Sequence, residues 1–305
     1  MTAKDIDLLK AVNDSDLSVE TKRNYKNMCA AMVSRADGAS IKQILMNPDV
    51  YIPQIKKWFP KITSYKVHLS TILGLFRYNK HLQTAALEAT REKWSKAFNK
   101  ADEEVTQRYK TNEPTERQKD GFVEYSKIID ARDDLPKGSI KRVLLGMYTY
   151  IKPMRCEYAR IALYKSVVPD KGAEPNYILL KTGQLILRAF KTSKHHDSYD
   201  IELPDPLMDD IKKSLELQPR DWLFVNTSNE PYSHSTYTAW TLRTFLSIFK
   251  KPLTVSLIRH SYINTLDLNK LSIKEQEEIA LAMGHTRETQ GFYRLIFKKT
   301  KDAKD

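Results

Sequence analysis

The chain has 305 residues, enough for two domains of ordinary size, and its 41% of hydrophobic residues can build a core in each. With 50 Lys and Arg against 38 Asp and Glu the formal charge is +12, an excess that favours a polyanionic partner such as DNA through salt-sensitive contacts. Cys29 and Cys156 are too few and too far apart for a disulfide framework or a zinc site. With no apolar run of about 18 residues and no signal-peptide core, an intracellular, reducing compartment and no membrane partner are expected.

The first hundred residues read as helical. Ser18 opens a capping-box-like start, with Thr21 in place of an acid, and Tyr25, Met28, Cys29, Met32 and Val33 then recur at helical spacing. Pro48 and Pro53 are expected to break the next segment. Residues 63–78 carry Tyr65, Leu69, Ile72, Leu73 and Phe76 on one stripe, and a run rich in Ala, Glu and Lys over residues 83–109 predicts a third helix. Residues 110–116 contain no apolar side chain and one proline, which marks a linker with the boundary near residue 112.

Beyond it, residues 118–129 and 140–150 read as helices, followed by Pro153, Met154, Arg155, Cys156 and Glu157. Three strands come next, over residues 177–180, 184–190 and 199–203, joined by turns at 181–183 and 192–193 into an antiparallel meander with Lys191 and Lys194 at the second turn. Tyr237, Trp240, Leu242, Phe245 and Phe249 then mark a helix buried on one side. The expected fold is mainly α with a small antiparallel β-sheet: a helical bundle over residues 1–111 and an α+β domain over residues 112–305.

Chemistry concentrates near the C-terminus, where Leu257-Ile258-Arg259-His260 precedes Met283-Gly284-His285 and Tyr293. Phosphoryl transfer builds charge on non-bridging oxygens, and a planar guanidinium fork matches that geometry. A tyrosine can be the nucleophile if a neighbour eases loss of its proton, since an unperturbed phenol titrates near about 10. An arginine, two histidines and a tyrosine are therefore the parts needed to move a DNA phosphodiester onto Tyr293.

The order and spacing of Arg259-His260, Gly284-His285 and Tyr293 resemble the boxes of the tyrosine recombinase (integrase) family, H-x-x-R-H and L-G-H followed by a Tyr. The segment 261–266 after the Arg-His pair and 279–283 before Gly284 look like the family as well, and the pattern Leu17-Ser18-x-x-Thr21-x-x-x-Tyr25 resembles the opening of its helical core-binding domain. The resemblance implies a catalytic set of Arg155, Lys191, Arg259, His285 and Tyr293, with Arg160 as the reserve for the first arginine. Arg155 departs from the family's G-x-R-x-x-E setting, because its acid, Glu157, follows by two residues. The larger departure is Ser256, which stands where the family box has histidine; it and His260 are possible accessory residues. A hydroxyl can donate to phosphate but cannot carry charge or act as a base near neutral pH.

What the resemblance implies is site-specific cleavage and rejoining of double-stranded DNA through a 3′-phosphotyrosyl intermediate, in recombination or integration, with a homotetramer synapsed on DNA. Such chemistry needs no metal and no cofactor, in keeping with the lack of a G-x-x-x-x-G-K-[ST] loop. Two alternatives stay open: a type IB topoisomerase using a similar residue set, and a catalytically impaired, sequence-specific DNA-binding relative, motivated by Ser256.

Overall fold

The computed structural model describes residues 3–169, 172–190 and 198–297. The chain forms two compact units, Met1–Thr111 and Asn112–Asp305.

The first unit is all helical: α1 (Ala3–Asn13), α2 (Val19–Val33), α3 (Ile41–Met46), α4 (Pro48–Trp58), α5 (Ile62–Tyr78) and α6 (Glu88–Lys110). The Ser18 hydroxyl accepts from the Thr21 amide and caps α2, while Ser40 and Gln43 close a full capping box on α3. The stripe on α5 is buried through Tyr65, Leu69, Ile72, Leu75 and Phe76, and it packs with Met32, Ile44, Ile55 and Trp94 into one core. The Trp94 indole, fully buried, donates to the Leu45 carbonyl at 2.9 Å, which pins α6 to the end of α3.

Two expectations change here. Pro53 does not interrupt the chain: Pro48 starts α4 in its first turn, and the helix runs on through Pro53 to Trp58. Pro53 is exposed, so the helical bond it removes leaves the opposing carbonyl to water, which tolerates it. The expected helix over residues 83–109 begins only at Glu88, after short 3-10 turns at Lys80–Leu82 and Ala85–Leu87.

The second unit wraps helices around a small sheet: α7 (Glu116–Gly121), α8 (Tyr125–Asp134), α9 (Ile140–Thr149), a 3-10 turn (Cys156–Ala159), strands β1 (Ala162–Tyr164), β2 (Asn176–Leu179), β3 (Gln184–Leu187) and β4 (Tyr199–Glu202), then α10 (Asp205–Leu217), α11 (His234–Phe249), α12 (Val255–Thr265), α13 (Ile273–Ala282) and α14 (Arg287–Gly291). The meander is present as β2, β3 and β4, with Gly183 at φ +72° in the first turn. The sheet is mixed rather than purely antiparallel, because β1 adds at the β2 edge in parallel, pairing Ala162 with Tyr177. The stretch expected as one helix over residues 118–129 is two, since α7 stops at Gly121 and α8 restarts at Tyr125. A Cβ at Gly121 would sit 2.6 Å from the Pro252 carbonyl oxygen, so only glycine lets α7 pass that backbone.

α9 and α10 are locked by a buried ion pair. Arg142 donates through Nε to Asp210 at 2.7 Å and through Nη1 to the carbonyls of Arg132, Asp133 and Leu135, while the second Asp210 oxygen accepts from the Gly138 amide at 3.1 Å. Both side chains are nearly inaccessible, at 9% and 5% exposure, so removing one strands the other charge. Asp210→Ala is expected to cost about 3 to 5 kcal/mol, and Arg142→Met added to it to recover most of that loss. Urea unfolding of the full chain measures both variants, and a cost under about 1 kcal/mol for the single change would contradict the account.

Candidate active site

The site is organised by the C-terminus of α13. Gly284 takes φ +68°, its amide donates to Leu281 O at 2.8 Å, and the His285 amide donates back to Ala280 O at 3.0 Å. This Schellman closure needs a left-handed residue at the position after the cap, hence the glycine. Ending the helix this way frees the next carbonyls for tertiary partners. Arg259 donates through Nη1 to Met283 O and to Pro153 O, each at 2.8 Å, and Arg155 donates through Nη1 to Gly284 O at 2.7 Å. Two guanidiniums thus converge on consecutive carbonyls of one turn.

Arg259 lies on the buried face of α12, which the Thr254 hydroxyl caps by accepting from the Leu257 amide. It is 1% exposed, and burial pulls its pKa below the ordinary arginine range, with the Tyr293 phenol acting in the opposite sense. Its Nη2 donates to His285 Nδ1 at 2.7 Å. A guanidinium can only donate, so Nδ1 must be the acceptor and the imidazole proton sits on Nε2. Burial, then the charges of Arg259 and Arg155, lower the His285 pKa to about 3, so the ring is neutral.

Two buried donors here lack a partner among the described residues: Arg259 Nε and His285 Nε2. Unpaired N–H groups in a protein interior are rare and cost about 1 to 3 kcal/mol each, so their presence on two residues that already touch calls for an external acceptor. Over them lies the half-buried ring of Tyr293, stacked on His285 at 5.0 Å and 16° and 4.7 Å from the Arg259 guanidinium carbon.

The Tyr293 backbone is held as firmly. His260 donates through Nδ1 to Tyr293 O at 2.6 Å, and its Nε2 faces the Gln118 amide nitrogen at 3.5 Å. Burial lowers the His260 pKa too, leaving a neutral ring that tethers a backbone. Two residues on, the Asn264 side chain brackets Leu295, donating to its carbonyl at 2.9 Å and accepting its amide at 2.8 Å, while the Ile296 amide donates to Asn112 O at 2.8 Å. Leu295 is buried and Phe297 meets Phe122 ring to ring at 4.6 Å, so residues 294–297 dock on their own unit.

Arg155, Arg259, His260, His285 and Tyr293 are therefore brought together. The reserve Arg160 is not with them: it forms a two-bond pair with Glu174 at 3.0 and 2.7 Å and lies over the Trp222 ring. No ion pair joins Arg155 to Glu157 among the described residues; the guanidinium is held by the Gly284 carbonyl instead. Ser256 is exposed on the first turn of α12. Lys191, like Lys194, His195 and His196, lies outside the described residues. Gln118 and Asn264, which sequence reading passed over, carry polar side chains on helices otherwise read for their apolar spacing; no local pattern marks them.

The His285 geometry has a direct consequence. A histidine whose folded-state pKa is depressed stabilises the fold above its unfolded pKa, near 6.5, and that contribution is lost as pH falls toward about 3. Histidine NMR of the free protein should show the His285 ring neutral and protonated at Nε2 down to about pH 5; an ordinary titration near pH 6.5 would overturn the buried, Arg259-bonded arrangement.

No protein-family model matches the chain, and no curated protein matches its sequence. Solved structures do match it in fold. A lambda integrase (residues 75–356) dimer bound to a COC′ core site aligns with a TM-score of 0.56 at 16% identity over 99% of both chains. A lambda integrase tetramer bound to a Holliday junction aligns at 0.54 and 17%, over 99% of this chain and 79% of that one. The lambda integrase fragment bound to DNA aligns at 0.53 and 16%, over 94% and 91%. The chain has the tyrosine recombinase (integrase) fold.

Proposed function

We propose that this protein cleaves and rejoins DNA strands at a specific site through a 3′-phosphotyrosyl intermediate, with Tyr293 as nucleophile. The observation that carries the reading is the pair of unpartnered buried donors, Arg259 Nε–H and His285 Nε2–H, beneath the Tyr293 ring. A phosphodiester supplies the acceptors these groups lack, and the guanidinium of Arg155 adds a second cation on the same turn.

In this scheme the Tyr293 ring moves off His285, a scissile phosphate takes its place, and the phenol oxygen attacks phosphorus. The oxygen–phosphorus bond to Tyr293 forms as the bond to the 5′ oxygen breaks. The phenol proton passes to solvent and the leaving 5′ oxygen takes a proton, a step for which Lys191 is the proposed donor. Arg155, Arg259 and His285 offset the charge that builds on the non-bridging oxygens. The ester conserves the energy of the broken bond, so a 5′-hydroxyl from the same or a partner duplex can reverse the step. Exchange between two duplexes implies four protomers on DNA, and the lambda integrase tetramer on a Holliday junction supports that reading for a chain of the same fold. Residues 1–111 would then serve as the core-binding domain and residues 112–305 as the catalytic domain. The formal charge of +12 suits a duplex partner held mainly by phosphate contacts.

Ser256 is exposed on α12, and in this reading the site would have one fewer group able to carry charge than the family box implies. That substitution favours the second reading, a protein that binds its site and forms no covalent bond.

A duplex selected from a random pool by binding to the full chain, then nicked just beyond the scissile phosphate so that the short 5′-hydroxyl fragment is lost, should trap a denaturant-resistant protein–DNA adduct. Tyr293→Phe should bind this duplex and form no adduct, while Tyr262→Phe should still form it. Absence of adduct from wild type on DNA that it binds would leave the binding-only reading in its place, and efficient relaxation of plasmid lacking the selected site would point to a type IB topoisomerase. On the same substrate Arg155→Ala should slow adduct formation about 100-fold with affinity nearly unchanged, because its contact strengthens as charge develops. Arg160→Ala, losing an exposed pair with Glu174, should stay within about threefold of wild type in adduct formation. The reverse pattern would reassign the first arginine.

A further inference from the structure

Arg155 leaves no trace of regular structure to hold it. It precedes the 3-10 turn Cys156–Ala159 with a backbone that is neither helical nor extended, at φ −77° and ψ −133°, and no side chain caps that turn. Its guanidinium reaches Gly284 O, yet the residue is only half buried, so something else must set where its backbone lies. That bond comes from α9. The Tyr148 hydroxyl donates to Arg155 O at 3.0 Å, and 3.3 Å behind it stands the Tyr237 hydroxyl of α11. A phenol has one proton; with the Tyr148 proton given to the Arg155 carbonyl, Tyr237 must donate to Tyr148. The relay thus has a fixed direction, from α11 through α9 to the arginine's backbone.

We infer that Tyr148, backed by Tyr237, is a positioning residue for the reaction, fixing the Arg155 backbone from which the guanidinium reaches the scissile phosphate. This rests on the proposed strand-cleavage reading. Both rings are fully buried, and Tyr148 is boxed by Tyr158 at 5.3 Å and Phe245 at 6.4 Å, so neither phenol can turn away to another partner. Burial also raises both phenol pKa values well above the ordinary tyrosine range, which keeps the protons of the relay in place at any working pH. The neighbouring Cys156 thiol lies 3.5 Å from the Thr238 hydroxyl, a second tie between α11 and this segment. Because catalytic groups must be placed to a fraction of an ångström, losing the carbonyl bond should loosen the arginine without removing it.

The test compares two nicked duplexes of the selected sequence, one with an ordinary scissile phosphate and one with a methylphosphonate there, in which a neutral methyl replaces a charged oxygen. A guanidinium matters less to the neutral group. Tyr148→Phe in the full chain is expected to slow adduct formation about tenfold on the phosphate and no more than about twofold on the methylphosphonate, with duplex affinity unchanged. Arg155→Ala calibrates the contrast and should show the same narrowing, larger in size. Tyr237→Phe leaves Tyr148 in place and should slow the phosphate reaction about threefold with the same substrate dependence, and it decides the matter if Tyr148→Phe does not fold. Slowing both substrates equally, or neither, while wild type forms adduct, would overturn the positioning role alone. No adduct from wild type on either substrate would overturn the strand-cleavage reading and this inference with it.

Discussion

Everything in the candidate site hangs on the end of one short helix. Without the left-handed turn at Gly284, the Met283 and Gly284 carbonyls would not be free to receive Arg259 and Arg155, and His285 would not follow them into the same pocket. The turn assembles cations around backbone oxygens rather than around carboxylates, and that choice matters. An acid would neutralise the arginines and compete with an incoming phosphate, whereas a carbonyl orients a guanidinium and leaves its full charge in place. The penalty is a set of buried charges and unpaired donors in the free protein, which suits a site built for an anionic guest.

The second unit handles its other buried arginines differently. Arg142 is matched with Asp210 and wrapped in carbonyls, and Arg220 is saturated by Ser214, Gln218 and Leu223. These side chains join loops to α9 and α10, and neither has a buried, unpartnered N–H among the described residues. Arg259 instead keeps one N–H open. Within a single unit, a buried N–H without a partner among the described residues thus separates Arg259, which stands ready for something outside the fold, from the arginines that fasten it.

Much of the architecture was legible because local chemistry agreed with the final fold. The stripe over residues 63–78, the Ser18 cap and the strand–turn–strand pattern around Gly183 each carry a short-range reason for their form, and each forms as expected. Arg259, Gly284, His285 and Tyr293 could be picked out because the glycine turn and the spacing around it are local in the chain. Missed features are those decided at a distance. β1 is a three-residue strand whose pairing partner lies beyond a loop, and the helix over Pro53 survives because that face meets water, which the sequence does not state. Asn264 finds Leu295 across 31 residues, and Tyr148 finds Tyr237 across 89; neither has a neighbour that announces it.

The clamp just C-terminal to the Tyr293 α-carbon also sets how this tyrosine can travel. With its own carbonyl held by His260 and both polar backbone groups of Leu295 held by Asn264, the α-carbon is a fixed pivot and the phenol a crank of constant length. Small excursions are therefore rotations about the side-chain bonds, sweeping the oxygen along an arc between staggered positions at little cost. Any larger displacement is of another kind: it must release three hydrogen bonds and the buried Leu295 together, and so proceeds as one abrupt event rather than as a gradual drift.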